Sequence, residues 1–322
     1  MNEKIFDIII LGGGPAGLSA AVYAARSAAK VAIIDISMFG GQPSNYLELE
    51  NYTGFKKVGG YELMEQFEEH ADMFGVEKFP MEEIQSVDLN SDIKTVTTLN
   101  GEFKAKSIII ATGAQAKKLG VNGEKEFIGR GVSYCAVCDG AFYKEKTVAV
   151  VGGGNAAVEE AMYLTRFADK VYLIHRRDEL RADKIVQERA FKNDKLKFVY
   201  DTVVKEIQGE DLVKNAVIEN VKTGEISNLK IDGIFPYIGF TPNVEMFNGQ
   251  IEQDGNGFIV TDNKMQTSAK GVYAAGDVRT TPLRQVITAA ADGAVAAVFA
   301  GRYVEILDAA AAENDLIKSK QD

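Results

Sequence analysis

The sequence has few of the side chains that bind structural metal ions or staple small folds. It contains two cysteines, Cys135 and Cys138, and two histidines, His70 and His175. A structural zinc site needs about four such ligands, and these histidines lie far from the cysteines in sequence, so zinc is disfavoured. With 46% apolar residues in 322, the chain can instead bury real cores, in about two domains.

The chain also has fewer basic than acidic residues. The chain has 36 Lys and Arg residues against 46 Asp and Glu residues, which gives a formal net charge of −10. An acidic surface repels phosphate backbones, so a general nucleic-acid-binding role is disfavoured.

An uncharged run of eighteen residues, 8–25, is not a good membrane span. Residues 12–15 read Gly-Gly-Gly-Pro and interrupt it in the middle, so a buried strand followed by a buried helix explains it better. Glu3 and Asp7 lie where a signal peptide would be basic. We therefore expect no membrane association and a cytoplasmic location.

One strand–turn–helix–strand pattern occurs twice. Residues 5–36 enter a glycine turn with Gly12, Gly14 and Gly17 spaced G-x-G-x-x-G, and Asp35 ends the next strand 23 residues after Gly12. Residues 147–177 repeat the plan, with small residues at 152, 154 and 157 and with His175 23 residues after Gly152. Hairpin signals follow each copy, at Asn100-Gly101 and near Gly224. The repeat predicts an α/β protein with two Rossmann-like nucleotide-binding domains.

Glycine turns in this context suit dinucleotides. Glycine lets the backbone approach the pyrophosphate, and the helix N-terminus offers free N–H groups and partial positive charge. A single match is weak because packing alone can explain it. Two matches, each in the right context, indicate binding at both sites.

The residues that end the second strand of each copy differ. Asp35 can accept hydrogen bonds from a ribose and would repel a 2′-phosphate, which favours FAD or NAD. The other copy ends in His175, Arg176 and Arg177, with Arg181 expected one helical turn beyond. Guanidinium groups bind phosphate oxygens in a fork geometry, so this cluster predicts NADP(H). The alternative is a solvated basic strand end.

The cysteine pair has three interpretations: a metal site, an inert buried pair and a redox dithiol. In a reducing compartment, a CxxC is more often redox-active or metal-binding than structural. A redox dithiol is favoured because the chain also predicts a two-electron source, since flavin can accept hydride from NADPH and reduce a disulfide. Cys138 precedes Asp139 and is expected near a helix N-terminus, a setting that lowers a thiol pKa.

The motifs together resemble the low-molecular-weight, bacterial-type thioredoxin reductases, along essentially the whole chain. The matching stretches are, in order, GGGPAGLSAA, GGQP, ATGA, CAVCDG, GGGNAAVEEA, HRRDELRA and AAGDVRTTPLRQV. The resemblance implies a three-layer ββα architecture in which an NADPH domain, 116–245, is inserted into an FAD domain, 1–115 and 246–322. It also implies a homodimer.

The resemblance also implies residue roles. Cys138 would face the flavin, Cys135 would attack the disulfide of the partner, and Asp139 would give and take the proton, although Asp139 could instead be a helix-capping residue. Asp277 would hold the ribityl chain, and residues 284–286 would line the isoalloxazine. The full FAD set is Gly12, Gly14, Pro15, Ala16, Gly17, Asp35, Gly40, Gly41, Gln42, Asn51, Thr112, Gly113, Gly276, Asp277, Arg284, Gln285 and Val286. The NADPH set is Gly152, Gly154, Asn155, Ala156, Glu159, His175, Arg176, Arg177, Arg181 and Gly239.

The function implied is NADPH-dependent reduction of thioredoxin or a similar small dithiol protein. A reductase of a peroxiredoxin, a dithiol oxidase, a ferredoxin-fed reductase and a flavin- and NADP-binding sensor are alternatives. The basic strand end argues against the first three, and Asp139 beside an intact CxxC argues against the sensor. The family often has two aromatic residues after CxxCDG, where this chain has Ala141 and Phe142. The missing aromatic ring puts the affinity for the partner in question.

Overall fold

The chain folds into two compact units. The computed structural model describes residues 4–46, 49 and 51–319. Unit 1 comprises Met1–Gln115 and Thr241–Asp322, and unit 2 comprises Ala116–Phe240. Unit 2 is therefore inserted in sequence between the two segments of unit 1.

Strands and helices alternate as in nucleotide-binding folds. The first segment contains β1 (Ile5–Leu11), α1 (Pro15–Arg26), β2 (Val31–Ile34), α2 (Gly60–Asp72), β3 (Glu77–Phe79), β4 (Ile84–Asp88), β5 (Lys94–Thr98), β6 (Glu102–Ile110) and β7 (Ala114–Ala116). Unit 2 continues with α3 (Ala136–Asp139), β8 (Thr147–Val151), α4 (Asn155–Leu164), β9 (Lys170–Ile174), α5 (Lys184–Phe191), β10 (Leu196–Val199), β11 (Thr202–Gly209), β12 (Val213–Asn220), β13 (Ile226–Lys230) and β14 (Gly233–Pro236). β15 (Phe240–Pro242), β16 (Val272–Ala274) and α6 (Val286–Ser319) follow.

Unit 1 is built on a mainly parallel sheet with the order β3-β2-β1-β6-β5-β4. The strand β6 has three partners: it pairs parallel with β1 along one edge, while its first half pairs antiparallel with β5 and its second half pairs parallel with β16. The returning segment thus completes the sheet begun by the first segment. The predicted hairpin turn at Asn100-Gly101 is confirmed, because Gly101 joins β5 to β6.

The central strand β1 is buried on both faces, which explains its unbroken apolar sequence. Ile8 and Ile10 pack in the core on the side of α1 and α6, whereas Ile9 and Leu11 pack in the core on the opposite side. Successive side chains of a strand point to opposite faces, so one apolar run supplies both cores. The carboxyl end of β1 leads directly into the first glycine turn.

Unit 2 repeats this plan with a separate antiparallel layer. Its parallel sheet has the order β10-β9-β8-β14, and β11, β12 and β13 form an antiparallel sheet of their own. The strand β8 divides its side chains as β1 does, with Val148 and Val150 in one core and Ala149 and Val151 in the other. The hairpin expected near Gly224 joins β12 to β13. The predicted α/β fold class with two Rossmann-like halves is confirmed.

Candidate active site

The first glycine loop joins β1 to α1, and two of its glycines are required by the protein's own packing. Gly12 has φ +109°, and a Cβ there would overlap the carbonyl oxygen of Ala111. A Cβ on Gly17 would overlap the carbonyl oxygen of Gly12. The absence of a side chain at Gly12 lets the loop lie against Ala111, and its absence at Gly17 lets α1 lie against the loop. Both positions therefore need glycine with or without a ligand.

Gly14 is different, because nothing in the protein requires a glycine there. Its φ is −81°, which any residue can adopt, and the nearest atom to an added Cβ is the Cα of Gly41 at 3.9 Å. Gly14 is also the N-cap of α1, and no side chain caps the helix. The loop therefore leaves open space beside the positive end of a 12-residue helix that has no side-chain cap.

Asp35 is held against this loop from the end of β2. Its Oδ2 accepts the Gly13 N–H at 2.6 Å, and its Oδ1 accepts the N–H and hydroxyl of Ser37, each at 2.8 Å. The ring of Phe39 lies on Gly13, where a Cβ would overlap it. The carboxylate is thus fixed at the rim of the loop by three hydrogen bonds.

Two further predicted stretches contact the first loop. Gly40 donates its N–H to the Gly13 carbonyl at 2.8 Å, and a Cβ on Gly41 would lie 3.1 Å from the Cα of Gly14. From the returning segment, Gly276 (φ +76°) packs where a Cβ would lie 3.0 Å from the Cβ of Ala16. The fold therefore gathers residues from three distant parts of the chain around one helix N-terminus. Gln42, beside Gly41, begins a short 3-10 helix, Gln42–Asn45.

Asp277 follows Gly276 at this same place. Burial raises the pKa of its carboxyl to about 6, while Arg284 acts in the opposite direction.

Gln285 accepts a hydrogen bond from the Asn51 side chain at 2.9 Å, which links two predicted residues 234 positions apart in sequence. Thr112 donates its hydroxyl to the Asn243 carbonyl at 2.7 Å. The remaining predicted FAD residues, Gly113 and Val286, lie just before β7 and at the start of α6.

The second glycine loop joins β8 to α4 and repeats the division of roles. Gly152 has φ +156°, and a Cβ there would overlap the carbonyl oxygen of Tyr237 and lie 2.6 Å from the Cβ of Ala157. Gly154 has φ −90°, and no atom lies within 4 Å of an added Cβ. As in unit 1, the first glycine serves the fold and the second leaves space for a ligand at an uncapped helix start. Asn155, Ala156 and Glu159 are exposed on the first turns of α4.

His175 does not join the exposed basic cluster in which the sequence grouped it. Its side chain is 4% exposed, and its ring lies on Gly153, where a Cβ would overlap it. Burial lowers the pKa of the imidazole, and the positive charge of Arg181 lowers it further. The ring is therefore neutral near pH 7 and supports the loop from beneath.

The arginines of the second site are exposed. Arg176 and Arg177 directly follow His175 on the surface. Arg181 does not lie one helical turn beyond, as expected, because residues 175–183 form an irregular loop before α5. It reaches the glycine loop instead through its backbone N–H, which donates to the Gly153 carbonyl at 2.6 Å. The charges of all three arginines lower the pKa of His175, so this exposed basic segment lies close to the ring that packs on Gly153.

The two cysteines form a disulfide at the start of a short helix in unit 2. Their Cα atoms are 5.3 Å apart. Cys135 is the N-cap of α3, and its sulfur accepts the Cys138 N–H at 3.1 Å. Cys138 therefore lies near a helix start as predicted, but the sulfur that receives the helix N–H group belongs to Cys135.

Asp139 ends α3 beside the disulfide. Burial raises the pKa of its carboxyl, and a hydrogen bond with Ser133 partly offsets this effect. Ser133 is itself buried and accepts the Cys135 N–H at 3.1 Å. The side chain of Ser133 thus connects the acid to the first cysteine. A buried carboxyl with a raised pKa beside a disulfide is a candidate for proton transfer.

Sequence reasoning missed three of these residues. Ser133, Tyr237 and Phe39 contact the disulfide segment or the loops, but none belongs to a motif with a chemical signature. Ser133 is two residues before Cys135 and could have been noticed there, whereas Tyr237 is 101 positions from its partner, Ala136.

Gly239, predicted for NADPH, has φ +118°, and its carbonyl accepts the Lys117 N–H at 2.9 Å.

The described part of the chain contains neither a cluster of metal-binding side chains nor a helix suited to crossing a bilayer. Within residues 4–46, 49 and 51–319, no group of three or more histidine, cysteine or acidic side chains could hold a metal ion. None of the helices in that part combines the length and apolar composition that crossing a bilayer needs.

Known proteins are similar to this chain in sequence and in fold. The family model described as pyridine nucleotide-disulphide oxidoreductase matches residues 6–293. The chain is 48% identical over 307 residues to a thioredoxin reductase of Bacillus subtilis (strain 168), covering 95% of this chain and 97% of the relative. It is similar to the crystal structure of thioredoxin reductase from Streptococcus pyogenes, with a TM-score of 0.88, 49% identity and coverage of 94% and 98%. A thioredoxin reductase from Giardia duodenalis, at 36% identity, gives a TM-score of 0.87 over 94% of this chain and 100% of that one.

Proposed function

The chain belongs to the thioredoxin reductases, within the pyridine nucleotide-disulphide oxidoreductase family, and we propose on this basis that it reduces the disulfide of thioredoxin or a similar small dithiol protein with electrons from NADPH. The electrons would pass through FAD and the Cys135–Cys138 pair. We also propose that it works in the reducing cytoplasm as a homodimer.

One observation carries the proposal. A single chain contains two glycine loops with space for a phosphate group, at Gly14 and Gly154, and a disulfide capped by its own helix N–H group. A nucleotide-binding protein without turnover would need no disulfide, and a simple dithiol protein would need no nucleotide loops. Electron transfer from a bound dinucleotide to a disulfide uses all three.

The residues of unit 1 fit FAD. The Gly14 space and the uncapped start of α1 suit a pyrophosphate, and Asp35 at the rim suits a ribose hydroxyl. Asp277 follows Gly276, which packs on Ala16, and its carboxyl can accept hydrogen bonds from a polyol. Asp35 would repel a 2′-phosphate, which argues against NADP at this loop.

The residues of unit 2 fit NADPH. Gly154 leaves space at the uncapped start of α4, and Arg176, Arg177 and Arg181 lie exposed nearby in sequence and structure. No acid occupies the position that Asp35 has in unit 1, because His175 is found there. The arginines would bind the 2′-phosphate through charge-assisted hydrogen bonds.

The dithiol performs the exchange with the partner. When the pair is reduced, the Cys135 thiolate attacks one sulfur of the partner disulfide, and the other partner sulfur leaves as a thiolate. The Cys138 thiolate then attacks the Cys135 sulfur, which releases the reduced partner and re-forms the disulfide. Two electrons move to the partner, and its two thiols take up two protons. FAD and NADPH, when bound, supply the two electrons that reduce the pair again.

Asp139 would manage the proton. Burial raises the pKa of its carboxyl, and its hydrogen bond with Ser133 links it to Cys135. It can therefore protonate a leaving thiolate and take the proton back from a thiol.

The surface beside the disulfide offers one aromatic ring to a partner. Phe142 is 46% exposed, whereas its neighbour Ala141 has no ring. Among the alternatives, a peroxiredoxin reductase would use the same dithiol chemistry with another partner. A dithiol oxidase would have no use for the exposed arginines.

A coupled assay tests the proposal. Purified protein is supplied with NADPH or NADH and a panel of oxidised thioredoxins and peroxiredoxins, and nucleotide oxidation and free thiols are followed. We expect NADPH oxidation that depends on a thioredoxin and stops in Cys135→Ser. Oxygen uptake driven by a substrate dithiol, without NADPH, would identify a dithiol oxidase instead.

A further inference from the structure

Tyr237 bridges the second glycine loop and the disulfide helix. It follows β14, and its backbone N–H donates to the Val151 carbonyl at 2.7 Å, at the end of β8. Its own carbonyl oxygen occupies the space that a Cβ on Gly152 would need. The backbone of Tyr237 is therefore packed directly on the first glycine of the loop.

The side chain of Tyr237 reaches the other element. Its hydroxyl accepts the backbone N–H of Ala136 at 2.6 Å. Ala136 is fully buried, so no water can take the place of the hydroxyl. A buried N–H without a partner costs free energy, so this bond holds the first residue of α3 in place. The ring packs on the core that contains Ala136 and Ala157.

The orientation of α3 matters for the chemistry of Cys135. Ala136, Val137 and Cys138 are the first three residues of α3, and the sulfur of Cys135 accepts the N–H of the third at 3.1 Å. In the reduced protein this N–H would donate to a thiolate, and hydrogen bonds to charged groups are the stronger ones. The bond forms only if the helix stays in its present orientation relative to Cys135.

We propose that Tyr237 is a positioning residue for the dithiol: its hydroxyl fixes α3 on the Gly152 loop and so keeps the Cys135 thiol acidic. The inference rests on the proposed function only in taking the cysteine pair as the working dithiol.

The test measures the Cys135 thiol alone. In Cys138→Ser, Cys135 is the sole thiol, and the backbone N–H at position 138 remains. The rate of alkylation by iodoacetamide as a function of pH, on the purified flavoprotein, gives the pKa of Cys135. Adding Tyr237→Phe removes one hydroxyl and keeps the ring. We expect the midpoint of the pH–rate curve, which is the pKa of Cys135, to rise by about one pH unit, a tenfold loss of thiolate at neutral pH.

Tyr200→Phe in the same background is the matched control. Tyr200 is a half-buried tyrosine of unit 2 whose ring stacks on Phe198. Its removal should leave the midpoint unchanged. Equal midpoints for Tyr237→Phe and Tyr200→Phe, or a lower midpoint for Tyr237→Phe, would overturn the proposal.

A second variant covers the case in which Tyr237→Phe does not fold. Replacing Tyr237 by 3-fluorotyrosine keeps the ring and the hydroxyl but weakens the oxygen as an acceptor. A smaller rise in the midpoint is expected, and an unchanged midpoint contradicts the proposal. Neither measurement uses NADPH or thioredoxin, so failure of the proposed function and failure of this inference give different results.

Discussion

The two glycine loops share a backbone plan and differ in what lies around the middle glycine. In unit 1 the ring of Phe39 covers Gly13, and Asp35 accepts the Gly13 N–H. In unit 2 the ring of His175 covers Gly153, and the Gly153 carbonyl accepts the N–H of Arg181. One loop is thus tied to a carboxylate and the other to a segment that carries arginines.

The difference separates two kinds of requirement. Gly12 and Gly152 serve the close approach of strand, loop and neighbouring backbone, which both folds need. Asp35 and His175, which follow the second strands, also contact the middle glycines, through a hydrogen bond to Gly13 and through ring packing on Gly153. The difference in charge between Asp35 and the arginines that follow His175 is what the proposed FAD and NADPH sites would require, because only NADPH has a phosphate at the 2′ position of its ribose.

The largest expected effect comes from replacing either cysteine of unit 2, which should stop reduction of the partner and leave unit 1 unaffected. Cys135→Ser and Cys138→Ser should each reduce thioredoxin turnover to background, because one thiol cannot complete the exchange. Reduction of the flavin by NADPH should persist, since unit 1 and both loops are unchanged. The measurement is the steady-state assay beside anaerobic flavin absorbance. Turnover in either variant would show that the pair is not the route to the partner.

The glycine positions provide the next test. Gly12→Ala and Gly152→Ala force a side chain into positive φ and into backbone atoms, so we expect destabilisation by several kcal/mol, on the order of 2–5. Thermal unfolding measures it.

The second glycines are the matched controls. Gly14→Ala and Gly154→Ala should leave the melting temperature nearly unchanged, because both positions have ordinary φ and free space. Gly14→Ala should lower FAD content, and Gly154→Ala should weaken NADPH binding by about tenfold or more, since the methyl group would meet the phosphates. If all four variants only destabilise, the spaces are not nucleotide sites.

The basic segment gives a moderate effect. Arg176→Ala with Arg177→Ala removes two hydrogen-bonding cations worth roughly 1.5–3 kcal/mol each, a sum weakened by exposure. We expect kcat/KM for NADPH to fall on the order of a hundredfold while that for NADH changes little.

Arg189→Ala with Lys192→Ala removes the same charge from exposed positions at the end of α5. This control should affect NADPH only slightly. If NADPH and NADH decline together in the Arg176 and Arg177 variant, the arginines support the loop or the pyrophosphate and do not select the 2′-phosphate. If neither declines, the segment is a solvated strand end.

The smallest effect concerns a position where the two loop helices differ. Ala20 is fully buried in α1, and Glu160 takes the equivalent place in α4, since both lie eight residues after the first glycine of their loops. Burial raises the pKa of Glu160 to about 7, with a further rise from Glu159. The folded state therefore loses stability as the pH rises from about 4.5 through about 7.

Glu160→Gln should remove this loss. At pH 8 the variant should exceed the wild type in free energy of unfolding by about 1–2 kcal/mol, a figure reduced for partial exposure. The gap should close as the pH falls toward 4.5. Urea unfolding at several pH values measures it, with the exposed Glu188→Gln as control. Parallel stability curves for wild type and Glu160→Gln would contradict the assigned pKa.

Sequence reasoning reached the parts of this molecule that follow from local rules. The glycine spacing, the hairpin at Gly101 and the helix start beside Cys138 each depend on a few neighbouring residues. The burial of His175 could not be predicted, because it depends on the absent Cβ of Gly153 opening a space above the strand end. The bond from Ala136 to Tyr237 joins residues 101 positions apart, which come together because the segment before Ala136 bonds to β14, with the Ser133 N–H donating to the Ile234 carbonyl.

The most direct test of the account counts the electrons that the protein accepts from NADPH. Each chain should hold two acceptors of an electron pair, the flavin of unit 1 and the disulfide of unit 2. Anaerobic titration should therefore consume about two equivalents of NADPH per chain in the wild type and about one in Cys138→Ser. NADH should be far less effective at the same concentration. Consumption of one equivalent by both proteins would contradict the claim that the two loops feed electrons to this disulfide.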